Sequence, residues 1–361
     1  GPEVQEYTQL KALRKRSDLV FQAIVLNHGK LSDALSSLDI DVTIIDEQRY
    51  SFREIVRCAR EALRGQVVDV LHSHRYKENL LAARLKNFGL ARHLVQTVHG
   101  LGEPFSGWDG VKVRLYDRIN RRITRKQFDR VIAVSRDIQQ QLTNVYGQNC
   151  LTTVHNVIDP KAIAPSRSND LVRQELGLSS EVGIIAAVGR LVPIKRFDLF
   201  IRMARLVVDK IPSTRYLIVG DGPLKADLEQ QVHSAELKDA ILFTGFRDDI
   251  WDVLGAIDLF VITSDHEGIP VTLLEAMALR RAVVSTGVGG ISEVVEDGLS
   301  GRLVEKGDVS GLARACIELL DSPSERARLG IAARQRVETC FSAESAAEKL
   351  HALYQELSGC Q

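Results

Sequence analysis

The 361-residue sequence has no apolar run approaching the roughly 20 residues that a membrane-spanning helix requires. No signal-peptide pattern is visible at its start, and its scattered cysteines read as those of a cytoplasmic chain. It lacks an excess of either charge, since 47 Lys and Arg balance 47 Asp and Glu. That balance argues against bulk nucleic-acid binding and leaves room for local basic patches. Five cysteines (Cys58, Cys150, Cys316, Cys340, Cys360) are scattered, with no C-x-x-C pair and no Cys/His cluster. They read as reduced structural thiols, not as a disulfide framework or zinc finger. What is present is globular: 45% hydrophobic and 26% charged residues, in a length that suits two domains.

Apolar strands alternate with amphipathic helices twice along the chain. The first series places strands at 19–26, 42–45, 67–71, 93–98, 130–134 and 151–154. The second places them at 183–188, 215–219, 241–243, 259–263 and 282–285. Such alternation predicts parallel sheets covered on both faces. Between the series, 159–170 contains two prolines, several Ser/Asn and little apolar pattern, which predicts a linker. In open α/β sheets, ligands bind at the carboxyl ends of strands. His99, Arg190, Gly220-Asp221-Gly222, Gly245-Phe246-Arg247 and Glu267-Gly268 fall there.

The most informative stretch is 264–278. An apolar strand runs into a polar loop with Gly268, and Pro270 is expected to open a helix that carries Glu275. Amides around Gly268 to Thr272, at the positive end of a helix dipole, make an anion site. Glu267 and Glu275 flank it, which suits a sugar nucleotide: amides for phosphate, carboxylates for hydroxyls. Arg190 and Lys195 follow another strand and add a planar fork and a point charge for a diphosphate. An ordinary strand–loop–helix and a pair of solvated cations are the bland alternatives.

Gly189-Arg190-x4-Lys195, Val219-Gly220-Asp221-Gly222-Pro223, Phe243-x-Gly245 and Glu267-x7-Glu275 occur in the order found in retaining glycosyltransferases of family 4, which have the GT-B fold. Thr97-Val98-His99, Val134-Ser135 and His155-Asn156-Val157-Ile158-Asp159 resemble that family's N-terminal signatures. The resemblance implies an α/β protein of two facing Rossmann-like, doubly wound domains with a cleft between them. Residues 1–157 would be the acceptor side, 158–340 the donor domain, and 341–361 a helix crossing back to the first domain.

The resemblance also implies roles. Arg190 and Lys195 would neutralise the donor diphosphate, and Glu267 would contact the transferred sugar. His99 would contact sugar hydroxyls, and Glu275 the ribose. Gly268, Ile269, Pro270 and Val271 would line the phosphate and sugar site, with Gly222 nearby and Gly245, Phe246 and Arg247 at the base pocket. Gly1 would approach the phosphates from the end of a glycine-rich loop whose preceding strand is missing from the sequence. The implied activity is transfer of a sugar, with retention, from a nucleotide sugar (a UDP-sugar) to a saccharide or lipid-linked acceptor. It would use no cofactor and no metal, and serve cell-surface polysaccharide or glycolipid synthesis. A GT-B nucleotide-sugar epimerase and a non-catalytic nucleotide-sugar-binding subunit are the alternatives.

Other residues have two readings. His72 and His74 form an H-x-H pair, with His99 and His155 elsewhere, but no carboxylate or Cys in the sequence pattern completes a ligand set, so strand-end histidines are favoured over a metal site. Asp39-Ile40-Asp41 resembles a metal-holding D-x-D but precedes a strand, away from strand carboxyl ends. Gly287-x-Gly289-Gly290 with Glu293 is either a donor-side amide cluster or a tight turn. Segment 112–130 carries eight basic residues against Asp117 and Asp129. It is a solvated helix face, or a contact for an anionic acceptor or for headgroups at the inner face of the membrane, aided by Phe105 and Trp108.

Overall fold

A computed structural model describes the backbone of residues 2–100 and 107–359 and the side chains of 3–100 and 115–359. No described helix is long and apolar enough to cross a membrane. The chain divides into two compact units, Gly1–Val157 with Ala343–Gln361, and Ile158–Ser342.

In the first unit, β1 (Gln22–Val25) pairs in parallel with β2 (Asp41–Ile44). Strands β3 (Val68–Ser73), β4 (Ala91–Val98), β5 (Arg130–Ala133) and β6 (Leu151–Thr153) form a second parallel sheet in that order. Of the helices between them, Phe52–Ala62 and Arg136–Tyr146 start at serine caps. Ser51 and Glu54 exchange hydrogen bonds in a capping box at the helix Phe52–Ala62. The helix Ala343–Ser358 packs on the helix Pro2–Leu13, with Ala343, Ala346, Ala347 and Leu350 against Ala12 and Leu13. Small side chains on one face let those two backbones approach closely.

The second unit is a six-stranded parallel sheet. In chain order its strands are β7 (Ile184–Val188), β8 (Arg215–Val219), β9 (Ile241–Gly245), β10 (Leu259–Ile262), β11 (Ala282–Thr286) and β12 (Arg302–Val304). In space they run β12-β11-β10-β7-β8-β9. Successive side chains of a strand point to opposite faces. Ile185 and Ala187 join Phe200, Met203, Leu312 and Leu319 on one face. Ile184 and Ala186 join Leu273, Met277, Ala333 and Val337 on the other. Burial on both faces is why these strands read as continuous apolar runs.

Segment 159–170 is not a free linker. Ile163 is buried, and the Pro165 ring fills the space beside Gly255. The Asp252 carboxylate accepts from Ser166 N (2.5 Å), Ser166 Oγ (2.9 Å), Arg167 N (3.2 Å) and Arg167 Nε (3.0 Å). The helix Asn169–Glu175 then starts at the Ser168 cap. The polar composition that suggests a linker is the composition needed to surround a buried carboxylate.

Candidate active site

The strand order of the second unit reverses between β7 and β10, which lie side by side with Ile185 opposite Leu259. Loops leaving the carboxyl ends of strands on either side of such a reversal diverge and leave a crevice. Arg190 and Lys195 follow β7; Glu267 and Gly268 follow β10. The two loops are tied together. Thr263 Oγ1 donates to the carbonyls of Lys195 (3.0 Å) and Arg196 (2.9 Å), and Asp265 N donates to the carbonyl of Ile194 (2.8 Å). Arg196, in a left-handed conformation at φ 52°, adds an ion pair to Asp265 at 3.1 Å.

Within this frame Lys195 Nζ lies 2.5 Å from Glu267 Oε1, which also accepts from Ser264 Oγ at 2.6 Å. Glu267 is 11% exposed and Lys195 25%, so the pair is largely withdrawn from solvent. Thr286 Oγ1 donates to the Ser264 carbonyl at 2.8 Å and fixes the loop from behind. The 287–290 turn packs on the same loop. Gly290 N donates to the Glu267 carbonyl at 3.1 Å. A Cβ on Gly289, whose φ is 52°, would lie 2.0 Å from that oxygen. Glycine is therefore required there by both conformation and space.

The helix after the loop is Val271–Ala278. Pro270 lies one residue before it, with φ −64° and ψ 129°, not at its first helical position as expected. No side chain caps this helix. Leu273 N donates to the Pro270 carbonyl at 3.2 Å, and the amides of Val271 and Thr272 stand at the positive end of the dipole, which favours an anion. Glu275, 8% exposed, accepts a hydrogen bond from Trp251 Nε1 at 3.0 Å. Burial pushes its carboxyl above the usual range, and the Trp251 bond opposes that. The Ile269 side chain is in the core, leaving only its backbone to face a ligand.

The remaining donor-side candidates follow neighbouring strands at the same edge of the sheet. Arg190 is exposed after β7. Gly222 follows β8, where a Cβ would meet the Leu191 backbone at 2.6 Å, so the loops after β7 and β8 touch main chain to main chain. Gly245 ends β9 at φ 69°, and Phe246 is exposed. The Arg247 guanidinium is taken by Asp249 (2.7 and 2.6 Å) and Glu175 (2.7 Å).

In the first unit, His99 follows β4, and its Nε2 lies 3.2 Å from His74 Nδ1, while its own Nδ1 is buried without a partner among the described residues. Burial lowers His99 to about 4 and His72 to about 3, so both rings are neutral. His72 uses both nitrogens, on Tyr354 Oη (2.7 Å) and Thr97 Oγ1 (2.8 Å). Beside them burial pushes the Glu6 carboxyl up to about 8, helped by Glu78 and opposed by Arg75.

Asp41 starts β2, and Asp39 pairs with Arg14 at 3.1 Å. Residues 112–127 of the basic segment lie in the helix Gly107–Gln127, with Leu115, Tyr116 and Ile119 exposed, and Arg130 starts β5. Gly1, Phe105 and the Trp108 side chain lie outside the described residues.

Sequence reasoning missed Trp251, Thr263, Ser264 and Glu6. Trp251 and Glu6 are far in sequence from the groups they meet and carry no local signal. Thr263 and Ser264 stand at the mouth of the most informative stretch, and a hydroxyl pair at a strand end is the available clue.

Residues 168–336 match the family Glycosyl transferases group 1, and residues 29–162 match Glycosyltransferase Family 4. The chain is 28% identical over 300 residues to N-acetyl-alpha-D-glucosaminyl L-malate synthase of Bacillus anthracis, covering 82% of this chain and 77% of that one. It is 28% identical over 265 residues to UDP-Gal:alpha-D-GlcNAc-diphosphoundecaprenol alpha-1,3-galactosyltransferase of Escherichia coli, covering 72% and 68%. Its fold is similar to that of Anabaena HepE, solved in complex with UDP and glucose: TM-score 0.83, 22% identity, covering 99% of this chain and 96% of that one.

Proposed function

Because the chain belongs to the family 4 glycosyltransferases and has their GT-B fold, we propose that it moves a sugar from a UDP-sugar to a hydroxyl of a saccharide or lipid-linked acceptor, with retention of configuration. The observation that carries this is the Lys195–Glu267 pair beside an uncapped helix start at the reversal point of the sheet. As the glycosidic bond breaks, negative charge builds on the diphosphate. The amides of Gly268, Val271 and Thr272 and the cations of Lys195 and Arg190 stabilise it there, where a preorganised site costs no reorganisation. Side-chain cations do this work, with no metal ion assigned to it.

Glu275 accepts from ribose hydroxyls, and its Trp251 bond fixes its orientation. Glu267 faces the transferred sugar. The acceptor attacks from the face the diphosphate leaves, which preserves configuration without a covalent intermediate. Uridine is chosen because HepE was solved with UDP and the Escherichia coli relative is named for UDP-Gal. That relative is also named for a lipid diphosphate acceptor. The same reading puts the chain in the cytoplasm, with its basic helix toward anionic acceptors or headgroups, in the synthesis of cell-surface glycans.

A thermal-shift screen of UDP-, GDP-, ADP- and TDP-sugars tests the donor. A ligand that binds only the native state, at about 100 times its Kd, stabilises by about 2.7 kcal/mol. UDP-sugars are expected to raise the melting temperature and the others are not. A shift with another base alone would replace uridine, and no shift with any nucleotide would overturn the donor-site reading.

A further inference from the structure

The H-x-H pair lacks a carboxylate in the sequence pattern; the fold supplies one. Glu6, from the helix Pro2–Leu13, lies with His74 after β3 and His99 after β4, all within the first unit. One ligand atom from each falls within 4.8 Å of the other two. His74 Nδ1 is 3.2 Å from His99 Nε2 and 3.8 Å from Glu6 Oε1.

The two imidazole nitrogens stand at the separation a tetrahedral ion needs, and the carboxylate lies farther out. With ligand bonds of about 2.0–2.1 Å, tetrahedral zinc ligands stand about 3.3 Å apart. Without an ion, two facing imidazole nitrogens share one proton, and the carboxylate oxygen has no donor at hydrogen-bond distance from either ring. His72 is not a ligand, because both of its nitrogens are used, but its ring stacks on His74 at 4.5 Å and holds it in place.

We propose that Glu6 Oε1, His74 Nδ1 and His99 Nε2 form a three-ligand site for Zn2+, with the fourth position open to water. Two imidazoles and one carboxylate favour zinc over magnesium or calcium, which prefer all-oxygen shells. The ion is not part of the transfer chemistry proposed above. On the resemblance's reading that His99 contacts sugar hydroxyls, an ion on Nε2 withholds that nitrogen from substrate, so Zn2+ inhibits transfer.

The test is calorimetric titration of ZnCl2 into the full chain after chelator treatment. One equivalent is expected to bind saturably. His74→Ala and Glu6→Gln are expected to weaken binding on the order of tenfold or more, and His233→Ala, on the helix Lys225–Ser234 of the other unit, to leave it unchanged. Co2+ added to the unaltered chain provides a readout that needs no variant: a four-coordinate site gives intense visible absorption and a six-coordinate ion a weak band. Absence of saturable Zn2+ binding, binding indifferent to both variants, or a six-coordinate Co2+ spectrum would each overturn the site. Stoichiometric Zn2+ binding with undiminished sugar transfer would uphold the site and remove His99 from the sugar contacts.

Discussion

On the proposed function, Lys195 and Glu267 serve as both scaffold and machinery. A lysine 2.5 Å from a carboxylate and beside a helix start is held where a diphosphate would arrive. Its charge is worth most when the leaving group is most charged, which is in the transition state. Lys195→Ala is therefore expected to lower kcat by about 10²–10³, the range for losing one preorganised charge stabiliser, with a smaller change in KM. Glu267→Gln keeps the Ser264 hydrogen bond but releases Lys195, and should lower kcat with the thermal shift by UDP largely retained. Steady-state kinetics with a UDP-sugar identified by the screen checks both. Full activity in Lys195→Ala would remove that residue from the reaction.

At the scale of elements, the sequence is most legible where strands are buried on both faces. Its apolar run places Arg215–Val219 at the observed limits, because Tyr216, Leu217 and Ile218 have nowhere to go but the core. Strand β12 is not legible: three residues after Gly301 offer too short a run to carry a period. The 287–290 turn has two readings in the sequence, and the contact of Gly289 with the Glu267 carbonyl gives it a supporting role that only the fold reveals. Segment 159–170 looks like a linker in the sequence and is docked in the fold, because burial of Asp252 does not register in apolar periodicity.

That carboxylate makes a pH prediction. Burial pushes Asp252 up, but the hydrogen bonds from Arg167, Ser166 and two amides outweigh it and hold it at about 2. A carboxyl depressed in the folded state contributes stability that is present above its ordinary pKa and lost as pH falls through the folded one. The second unit should lose stability between about pH 4 and pH 2. Asp252→Asn should cost about 1–3 kcal/mol near neutrality, the range for mispairing buried donors, and flatten that acid slope. Urea unfolding across the pH range measures it; an unchanged slope would show that the 159–170 segment is held by Ile163 and Pro165 instead.

Across the whole molecule, the features of the proposed donor site belong to one unit, and to one place in its sheet. The order β12-β11-β10-β7-β8-β9 puts the first strand in the middle, so the loops after β7 and β10 border the reversal. The loop after β8 touches the β7 loop through Gly222, and the turn after β11 backs the β10 loop through Gly289. Four strand ends thus converge through main-chain contacts, which explains why the motifs appear in fixed order along 185 residues of Ile158–Ser342 while each is short. Ligand binding should tighten these loops together. Hydrogen exchange on the full chain with UDP, which carries no sugar, is expected to protect 189–196, 264–275 and 287–290, with little change in 68–99. Protection confined to the first unit would mean that the nucleotide is held by different elements. Protection of 264–275 without 189–196 would separate Lys195 from the phosphates and leave the helix amides as their main support.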